Sequence, residues 1–141
     1  MLSPHFKLSE FERSQTAAAH GIANRAPVSA VSNLQTLCQE VLEPLRLWLG
    51  EPVIVNSGYR CRELNSLVGG VKNSQHMAGE AADLRVRSEY EAHLWQRWID
   101  RNCEYDQCIV EHNSQGAFWL HVSCKRDLRR NRHRCFDLKK Q

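Results

Sequence analysis

The sequence contains the stretch Ser74-Gln75-His76-Met77-Ala78-Gly79-Glu80-Ala81-Ala82-Asp83 and, further along the chain, the stretch Phe118-Trp119-Leu120-His121-Val122-Ser123. The first stretch has a histidine and, seven residues later, a carboxylate; the second adds a histidine 38 residues after that carboxylate. Three ligands of these types leave a fourth position on zinc open for water, which is typical of catalytic sites. The pattern therefore predicts a catalytic metal site at His76, Asp83 and His121.

Both stretches also indicate β-strands. Ala81 to Val86 and Phe118 to Ser123 alternate in the manner of strands, and residues two apart on a strand share a face. Pairing the two strands would bring Asp83 and His121 together, and His76 could reach them from the loop that precedes the first strand. Glycine at position 79 would let that loop turn tightly.

The remaining elements follow from apolar periodicity and from turn residues. A capping box at Ser9 and Glu12 predicts a short helix that fades by Thr16, and residues 17 to 27 are expected to form a loop. A longer helix is predicted over Ser29 to Leu49, kinked at Pro44 and ended by Gly50. Two further helices are predicted over 61 to 68 and over Glu89 to Arg101. The predicted strands are Val53 to Val55 and a hairpin of Gln107 to Glu111 with Phe118 to Ser123. The predicted class is α+β, a small antiparallel sheet with N-terminal helices packed on it.

Length and composition predict a single domain over residues 1–141. Hydrophobic residues make up 42% and charged residues 25% of the chain, as in ordinary globular proteins. No run approaches about 18 apolar residues, so a membrane span is not expected. Without an export signal, we expect cytoplasmic synthesis, a monomer, and free thiols at the six cysteines.

The net charge of +3 is concentrated in a basic C-terminal end that starts at about residue 125. Such an end is either a solvated tail or a surface for an anionic polymer, namely nucleic acid or the acidic cell wall. A structural zinc protein is a further alternative, with Cys103, Cys108, Cys124 and Cys135 as four thiolate ligands and the arginines on phosphates. We expect no nucleic-acid partner, because the spacing of these cysteines fits zinc knuckles poorly.

Nearly the whole chain, from about Phe6 to Arg132, resembles the M15 family of zinc peptidases, which includes D-alanyl-D-alanine carboxypeptidases and phage cell-wall peptidases. The matching motifs are Ser57-Gly58-Tyr59-Arg60, Asn65, Val68-Gly69-Gly70, Ser74-x-His76-x-x-Gly79-x-Ala81-x-Asp83, Trp119-x-His121-Val122-Ser123, Leu8-Ser9-Glu10-Phe11 and Leu42-Glu43-Pro44-Leu45-Arg46. The last two are similar to the family's small, single-domain branch. The resemblance implies the hedgehog-like fold of these peptidases.

For function, the resemblance implies that His76, Asp83 and His121 hold Zn²⁺ and that the substrate is a peptidoglycan stem peptide with D-amino acids at the cleaved bond. Zinc would polarise the scissile carbonyl and lower the pKa of a water molecule to about 7. Without a signal peptide, the chain resembles phage or prophage enzymes that reach the wall after lysis or within a phage assembly.

Several other side chains are candidates for substrate contacts. Arg60 matches the family arginine that contacts substrate, and its fork suits a carboxylate or a developing oxyanion; alternatively it forms a structural salt bridge. Ser57 and Ser74 either shape the pocket or support the loop. Trp119 either lines the pocket or belongs to the core.

The expected general base is missing from its usual position. Many family members have an acidic residue three positions before the last histidine ligand, where this chain has Phe118. Glu111 is our substitute, because the hairpin would place it on the strand beside His121; the alternative is a salt bridge to an arginine at the sheet edge. Glu80 and Asp106 are weaker candidates. If no base is present, the protein is an inactive zinc-containing relative that binds wall peptides or another protein.

Overall fold

A five-stranded sheet lies at the centre of the computed structural model, which describes residues 1–140. Its strands are β1 Val55–Ser57, β2 Ala81–Arg85, β3 Gln107–Asn113, β4 Phe118–Ser123 and β5 Arg134–Lys140. They are arranged in the order β1-β2-β4-β3-β5, and every neighbouring pair is antiparallel except β3 and β5. The predicted α+β class and the β3–β4 hairpin are confirmed. β5 is not among the predicted strands: it lies in the basic end, for which the sequence indicates a solvated tail or a polymer-binding surface.

Seven α-helices precede or connect these strands within the described residues. They are α1 Leu8–Glu12, α2 Gln15–Ala19, α3 Val28–Leu37, α4 Glu43–Leu49, α5 Arg62–Leu67, α6 Gln75–Ala78 and α7 Glu89–Asn102, with a 3₁₀ turn at Leu128–Arg130. None of the helices in this part of the chain is long and apolar enough to cross a membrane.

The N-terminal helices differ from the prediction in detail. The backbone N–H of Lys7 donates to Glu10, whereas the Glu12 carboxylate accepts from the backbone of Ala26 at 2.7 Å, so the predicted Ser9–Glu12 capping box does not form. The predicted loop over residues 17 to 27 begins too early, because α2 runs to Ala19. Its N-cap is Ser14, whose hydroxyl accepts from the backbone of Ala17.

The long predicted helix is present over α3 and α4, with a π-helical segment, Cys38–Leu42, between them. There the backbone N–H of Glu43 donates to the carbonyl of Cys38, five residues back. The irregularity precedes Pro44 because a proline within a helix donates no hydrogen bond and its ring crowds the carbonyl four residues earlier. Gly50 ends α4 with φ +70°, as predicted.

The two faces of the sheet have different roles. Cys108 and Val110 on β3, and Leu120 and Val122 on β4, belong to the core packed beneath the helices. The alternate β3 residues, Gln107, Ile109 and Glu111, line a cleft on the opposite face. The helices therefore stabilise one face of the sheet while the other remains available for a site.

None of the six cysteines forms a disulfide, and Cys38, Cys103, Cys108 and Cys124 are buried. Among residues 1–140, the one cluster of three or more His, Cys, Asp or Glu side chains able to hold a metal consists of His76, Asp83 and His121. The four-thiolate alternative is therefore wrong.

Candidate metal centre and the cleft around it

Strand pairing places Asp83 directly opposite His121. The two are register partners in β2 and β4, and Oδ1 of Asp83 lies 3.0 Å from Nδ1 of His121. The other carboxylate oxygen, Oδ2, lies 3.4 Å from Nε2 of His76. One ligand atom from each of the three residues lies within 4.8 Å of the others. The sheet thus brings Asp83 and His121 together, and His76 lies beside them.

His76 comes from α6, a four-residue helix, rather than from the expected loop. His76 is 3% exposed, and its Nδ1 lies 2.7 Å from the backbone carbonyl of Gly58. Because a carbonyl only accepts, Nδ1 carries a proton, and Nε2, which faces Asp83, is the nitrogen available to a metal ion. Metal-binding histidines are commonly oriented in this way by an acceptor on their second nitrogen.

The Asp83 carboxylate is ionised. Burial raises the pKa of this group, but the charge of His76 and the hydrogen bond with His121 outweigh burial and hold the pKa well below its usual range. An ionised carboxylate and two imidazoles, all lining an open cleft, are a donor set that fits Zn²⁺ with one position left for water.

Gly79 joins α6 to β2 and thereby sets the distance between His76 and Asp83. Its φ is +74°, and a Cβ built there would lie 2.4 Å from the backbone oxygen of Ala30 on α3. Both the left-handed backbone and the close approach of α3 require glycine. The tight turn predicted at this position is therefore confirmed, with helix packing as an additional reason for it.

Arg60 lies at the cleft wall and is held by neutral side chains. Its Nε donates to Oδ1 of Asn65 at 3.1 Å, and its two terminal nitrogens reach the hydroxyls of Ser57 at 3.5 Å and Ser74 at 3.3 Å. The alternative of a structural salt bridge is wrong, because within residues 1–140 Arg60 forms no ion pair. Burial lowers the pKa of Arg60, while Asp83 and Glu111 act against burial, and a guanidinium remains charged throughout.

Ser57 and Ser74 contact Arg60 and thereby support the site. Ser74 also caps α6, since its hydroxyl accepts from the backbone N–H of His76 at 3.2 Å. Gly70 leaves room for this arrangement: a Cβ there would lie 2.1 Å from Oδ1 of Asn65, the acceptor for Arg60. Of the two serines, Ser74 alone lines the cleft that holds the metal ligands.

Glu111 lies on the cleft face of β3, at the register position opposite Trp119. The indole nitrogen of Trp119 donates to its Oε1 at 2.7 Å, and Nζ of Lys140 lies 3.4 Å from Oε2. Glu111 is 4% exposed, so these two partners satisfy a buried carboxylate. The predicted alternative, a salt bridge to an arginine, is replaced by one to a lysine of β5.

The strand register explains why an acid at position 118 would be misplaced in this chain. Trp119 and His121 line the cleft, so Phe118 alternates to the opposite face, where it packs against the core and stacks on His112 at 5.3 Å between ring centroids. Glu111 is the register neighbour of Trp119 and shares the face of His121. The cleft-facing carboxylate is therefore supplied by the neighbouring strand.

The two weaker base candidates lie elsewhere. Glu80 is outside the cleft lining and contacts Gln75 at 3.5 Å. Asp106 is fully buried, accepts from Nε2 of Gln75 at 3.0 Å, and forms an ion pair with Arg132 at 2.7 Å. Asp106 therefore anchors the C-terminal segment to α6. Sequence reasoning missed this connection because its residues are far apart in the chain and belong to no shared motif.

The cleft has a volume of about 820 Å³. Its lining includes the three ligands, Arg60, Glu111 and Trp119, together with residues of the basic C-terminal end such as Lys125, Arg130 and Lys140. Trp119 is thus a wall residue, and the basic end is part of the site rather than a separate tail.

Comparison with known proteins agrees with this geometry. Residues 4–123 match the family described as peptidase M15. Zinc D-Ala-D-Ala carboxypeptidase from Streptomyces albus G is 36% identical to this chain over 95 residues, which cover 59% of this chain and 36% of the carboxypeptidase. The chain therefore spans well under half of that relative's length. On the strength of the family match, which includes every member of the His-Asp-His cluster, this protein belongs to the peptidase M15 family.

Proposed function

We propose that this protein is a zinc-dependent peptidase that hydrolyses peptide bonds in the stem peptides of peptidoglycan. One observation carries the proposal: two imidazoles and an ionised carboxylate converge at the floor of an open cleft whose walls also present a carboxylate and an arginine. Peptide hydrolysis needs an electrophile, a proton acceptor and a group that binds the substrate's negative charge, and the cleft supplies residues for each.

Zinc is the metal that the donor set favours. Two histidine nitrogens and one carboxylate oxygen, with an open position, form a ligand set found in zinc hydrolases. When bound, zinc supplies a Lewis acid that polarises the scissile carbonyl and lowers the pKa of water to about 7. The contact of His76 with Gly58 holds the imidazole in the tautomer that such binding requires.

Glu111 is the residue for proton transfer. It shares the cleft face with His121, and its Oε1 is fixed by Trp119, so its position does not depend on a mobile side chain. In the proposed reaction, Glu111 accepts the proton of the attacking water and delivers it to the leaving nitrogen.

Arg60 is the residue for charge recognition. Its guanidinium is oriented by three neutral acceptors, so its positive charge is not cancelled by a direct partner within residues 1–140. It is therefore available to bind a terminal carboxylate of the substrate or an oxyanion that develops during reaction.

The substrate class rests on the family and on the similar carboxypeptidase, whose name states that it acts on D-Ala-D-Ala. Both a carboxypeptidase cut at the peptide end and an internal cut fit an open cleft. Action on the wall after lysis, or from within a phage assembly, is our proposal for how the enzyme meets this substrate.

The proposal is tested by incubating the zinc-loaded protein with purified peptidoglycan and with defined stem peptides, and by identifying the products by mass spectrometry. We expect release of D-alanine for a carboxypeptidase and of larger fragments for an endopeptidase. Absence of cleavage of every wall substrate, by a folded protein with one zinc per chain, would refute the peptidase.

An inactive zinc-containing relative that binds wall peptides is the second candidate. It is favoured by the contacts of Glu111, because Trp119 and Lys140 occupy both carboxylate oxygens. This candidate predicts that stem peptides bind the zinc-loaded protein without turnover. It also predicts that Glu111→Gln leaves peptide binding unchanged within about twofold, since no catalytic role is lost.

A further inference from the structure

We infer that the segment from Lys125 to Lys140 recognises a carboxylate on the substrate, at a place separate from Arg60. This inference rests on the proposed peptidase function, which it deepens by naming a substrate feature. The segment follows the residues that match the family, 4–123, yet it lines the same cleft as the metal ligands. Its cleft residues are Lys125, Arg130, Arg132, Phe136, Leu138 and Lys140.

The segment is fixed to the rest of the domain at both ends. The backbone N–H of Lys125 donates to Oδ1 of Asn131 at 2.8 Å, which closes a loop that brings Lys125 and Arg130 to the same part of the cleft. Arg132 is tied to the buried Asp106 through its backbone and its guanidinium. β5 then pairs with β3 along its whole length, from Gln107–Arg134 to Asn113–Lys140.

Charge pairing divides the cations of this segment into two groups. Arg132 is neutralised by Asp106, and Lys140 contacts Glu111. Lys125 and Arg130 have no ion-pair partner among residues 1–140, since Asp127, within the same loop, pairs with Arg129 instead. Two cations without direct partners therefore face a cleft, where an anionic ligand group would be bound more strongly than at an open surface.

Sheet topology places Arg60 and β5 on opposite sides of the metal site, while Lys125 and Arg130 lie in the connection from β4 to β5. Arg60 contacts Ser57 on β1, the strand at one edge of the sheet, whereas the segment runs from the end of β4 to β5 at the other edge. Asp83 and His121 lie on β2 and β4, between these two sides. A peptide lying across the strands from Arg60 to the segment would pass over the metal ligands.

The lining of this side favours an acidic peptide. Phe136 and Leu138 alternate with residues on the other face of β5, so the wall presents apolar side chains beside the cations. That combination suits a peptide with a carboxylate next to aliphatic groups better than a polymer of phosphates, which would match a continuous row of cations. Arg60 and the pair Lys125 and Arg130 would then bind two different anionic groups of one substrate.

The test compares peptides that end in D-alanine and differ only in having Glu or Gln at one position, with the acidic residue moved along the peptide in a series. Binding to the zinc-loaded protein is measured by calorimetry, and hydrolysis is measured in parallel. We expect at least one Glu peptide to bind about tenfold more tightly than its Gln partner, because a charge-assisted hydrogen bond is stronger than a neutral one.

The variant Lys125→Gln/Arg130→Gln should reduce that preference to below about twofold, because the charge-assisted bonds are lost, while leaving affinity for the Gln peptide unchanged. The matched control is Arg126→Gln/Lys139→Gln, which removes the same charge from exposed residues outside the cleft lining and should retain the preference. A circular dichroism melt confirms that both variants are folded.

The inference would be overturned by equal binding of Glu and Gln peptides throughout the series, by a preference that survives in the Lys125/Arg130 variant, or by equal loss of preference in the control. Displacement of the Glu peptide by a phosphate polymer at the same concentration would also overturn it, in favour of an anionic polymer site. A preference that depends on Lys125 and Arg130 without hydrolysis of any peptide would support the recognition site while refuting the peptidase.

Discussion

The indole nitrogen of Trp119 donates a 2.7 Å hydrogen bond to Oε1 of Glu111 from the adjacent strand. Both residues lie on the face of the sheet that carries His121. Trp119 is two positions from His121 on β4, and Glu111 is two positions from Ile109, the register partner of His121 on β3. Diagonal neighbours of this kind in paired strands are separated by about 7–8 Å, which leaves room for a water molecule and a peptide carbonyl between them. In the proposed mechanism, the proton acceptor therefore lies on β3.

Replacing Glu111 by Gln should therefore lower kcat by about 10²- to 10⁴-fold, the range for loss of a general base. Zinc content and the thermal midpoint should change little, because glutamine can still accept from Trp119. Steady-state kinetics on a stem peptide gives the comparison, with Glu104→Gln, an exposed residue outside the cleft, as control. Equal activity of the Glu111 variant and wild type would remove Glu111 from the mechanism.

Replacing Arg60 by Lys should lower kcat/KM by about 10- to 100-fold, because lysine keeps the charge but loses the fork that contacts Asn65, Ser57 and Ser74. Zinc content should not change. Arg62→Lys, on the exposed face of α5 and outside the cleft lining, is the control. The assignment of Arg60 to substrate recognition fails if its variant and this control have the same kcat/KM.

Gly79→Ala should destabilise the fold by more than about 2 kcal/mol, since a left-handed backbone costs about 1–2 kcal/mol for a residue with a Cβ and contact with Ala30 adds to that cost. Gly21→Ala is the control, because Gly21 also has a positive φ, +65°, but a Cβ added there would meet nothing within 4 Å. Urea unfolding measures both. Similar losses in the two variants would show that α3 does not constrain position 79.

Asp106 should contribute to stability in a pH-dependent manner. Burial raises the pKa of its carboxyl, but the hydrogen bonds from Arg132 outweigh burial and lower the pKa below its ordinary value. A depressed pKa in the folded state means that the contribution is fully present above the unfolded pKa of about 3.9 and is lost as the pH falls through the folded pKa.

The free energy of unfolding should accordingly be lower for Asp106→Asn than for wild type at pH 7, by about 2 kcal/mol for a lost charge-assisted interaction. The difference between the two proteins should shrink as the pH is lowered from about 5 to about 2, the range in which a paired carboxylate takes up its proton. Urea titrations at several pH values test this, and a difference that stays constant over that range would contradict the ionised Asp106–Arg132 pair.

The sequence predicted the His-Asp-His cluster, and the strands that hold Asp83 and His121, because the signals are local. His76, Gly79 and Asp83 lie in one short motif, and alternation in Phe118 to Ser123 defines the face of His121. Given those two strands, a single pairing brings Asp83 and His121 together. The location of Glu111 followed from the hairpin for the same reason.

The C-terminal wall could not be predicted in this way. β5 is an edge strand whose residues are mostly exposed and charged, so its alternation is weak: Phe136 and Leu138 are its only clear apolar signal. Its partner β3 is parallel to it, and no turn motif specifies that pairing. The anchor between Asp106 and Arg132 spans 26 residues and is defined only by the folded structure.

Ser14 and Pro44 show a different limit of secondary-structure prediction from sequence. The cap of α2 is formed by Ser14, but the nearby glycine, asparagine and proline residues favour a loop, so sequence reasoning misses the helix. At Pro44 the prediction of an irregularity is right, whereas its form depends on how the helix packs. The chain widens into a π-helical turn at Cys38–Leu42, where Cys38, Val41 and Leu42 are buried.

The most direct test asks whether the His-Asp-His cluster is a catalytic zinc site. Zinc content and peptide hydrolysis are measured on the same preparation, before and after a chelator removes the metal. We predict one zinc per chain, loss of hydrolysis on its removal with the fold retained, recovery on return of zinc, and neither zinc nor activity in folded His121→Ala. His112→Ala, a histidine on the opposite face of the sheet, should keep both. A wild-type protein that binds no zinc, or one that hydrolyses stem peptides equally well without it, would contradict the assignment of a zinc peptidase.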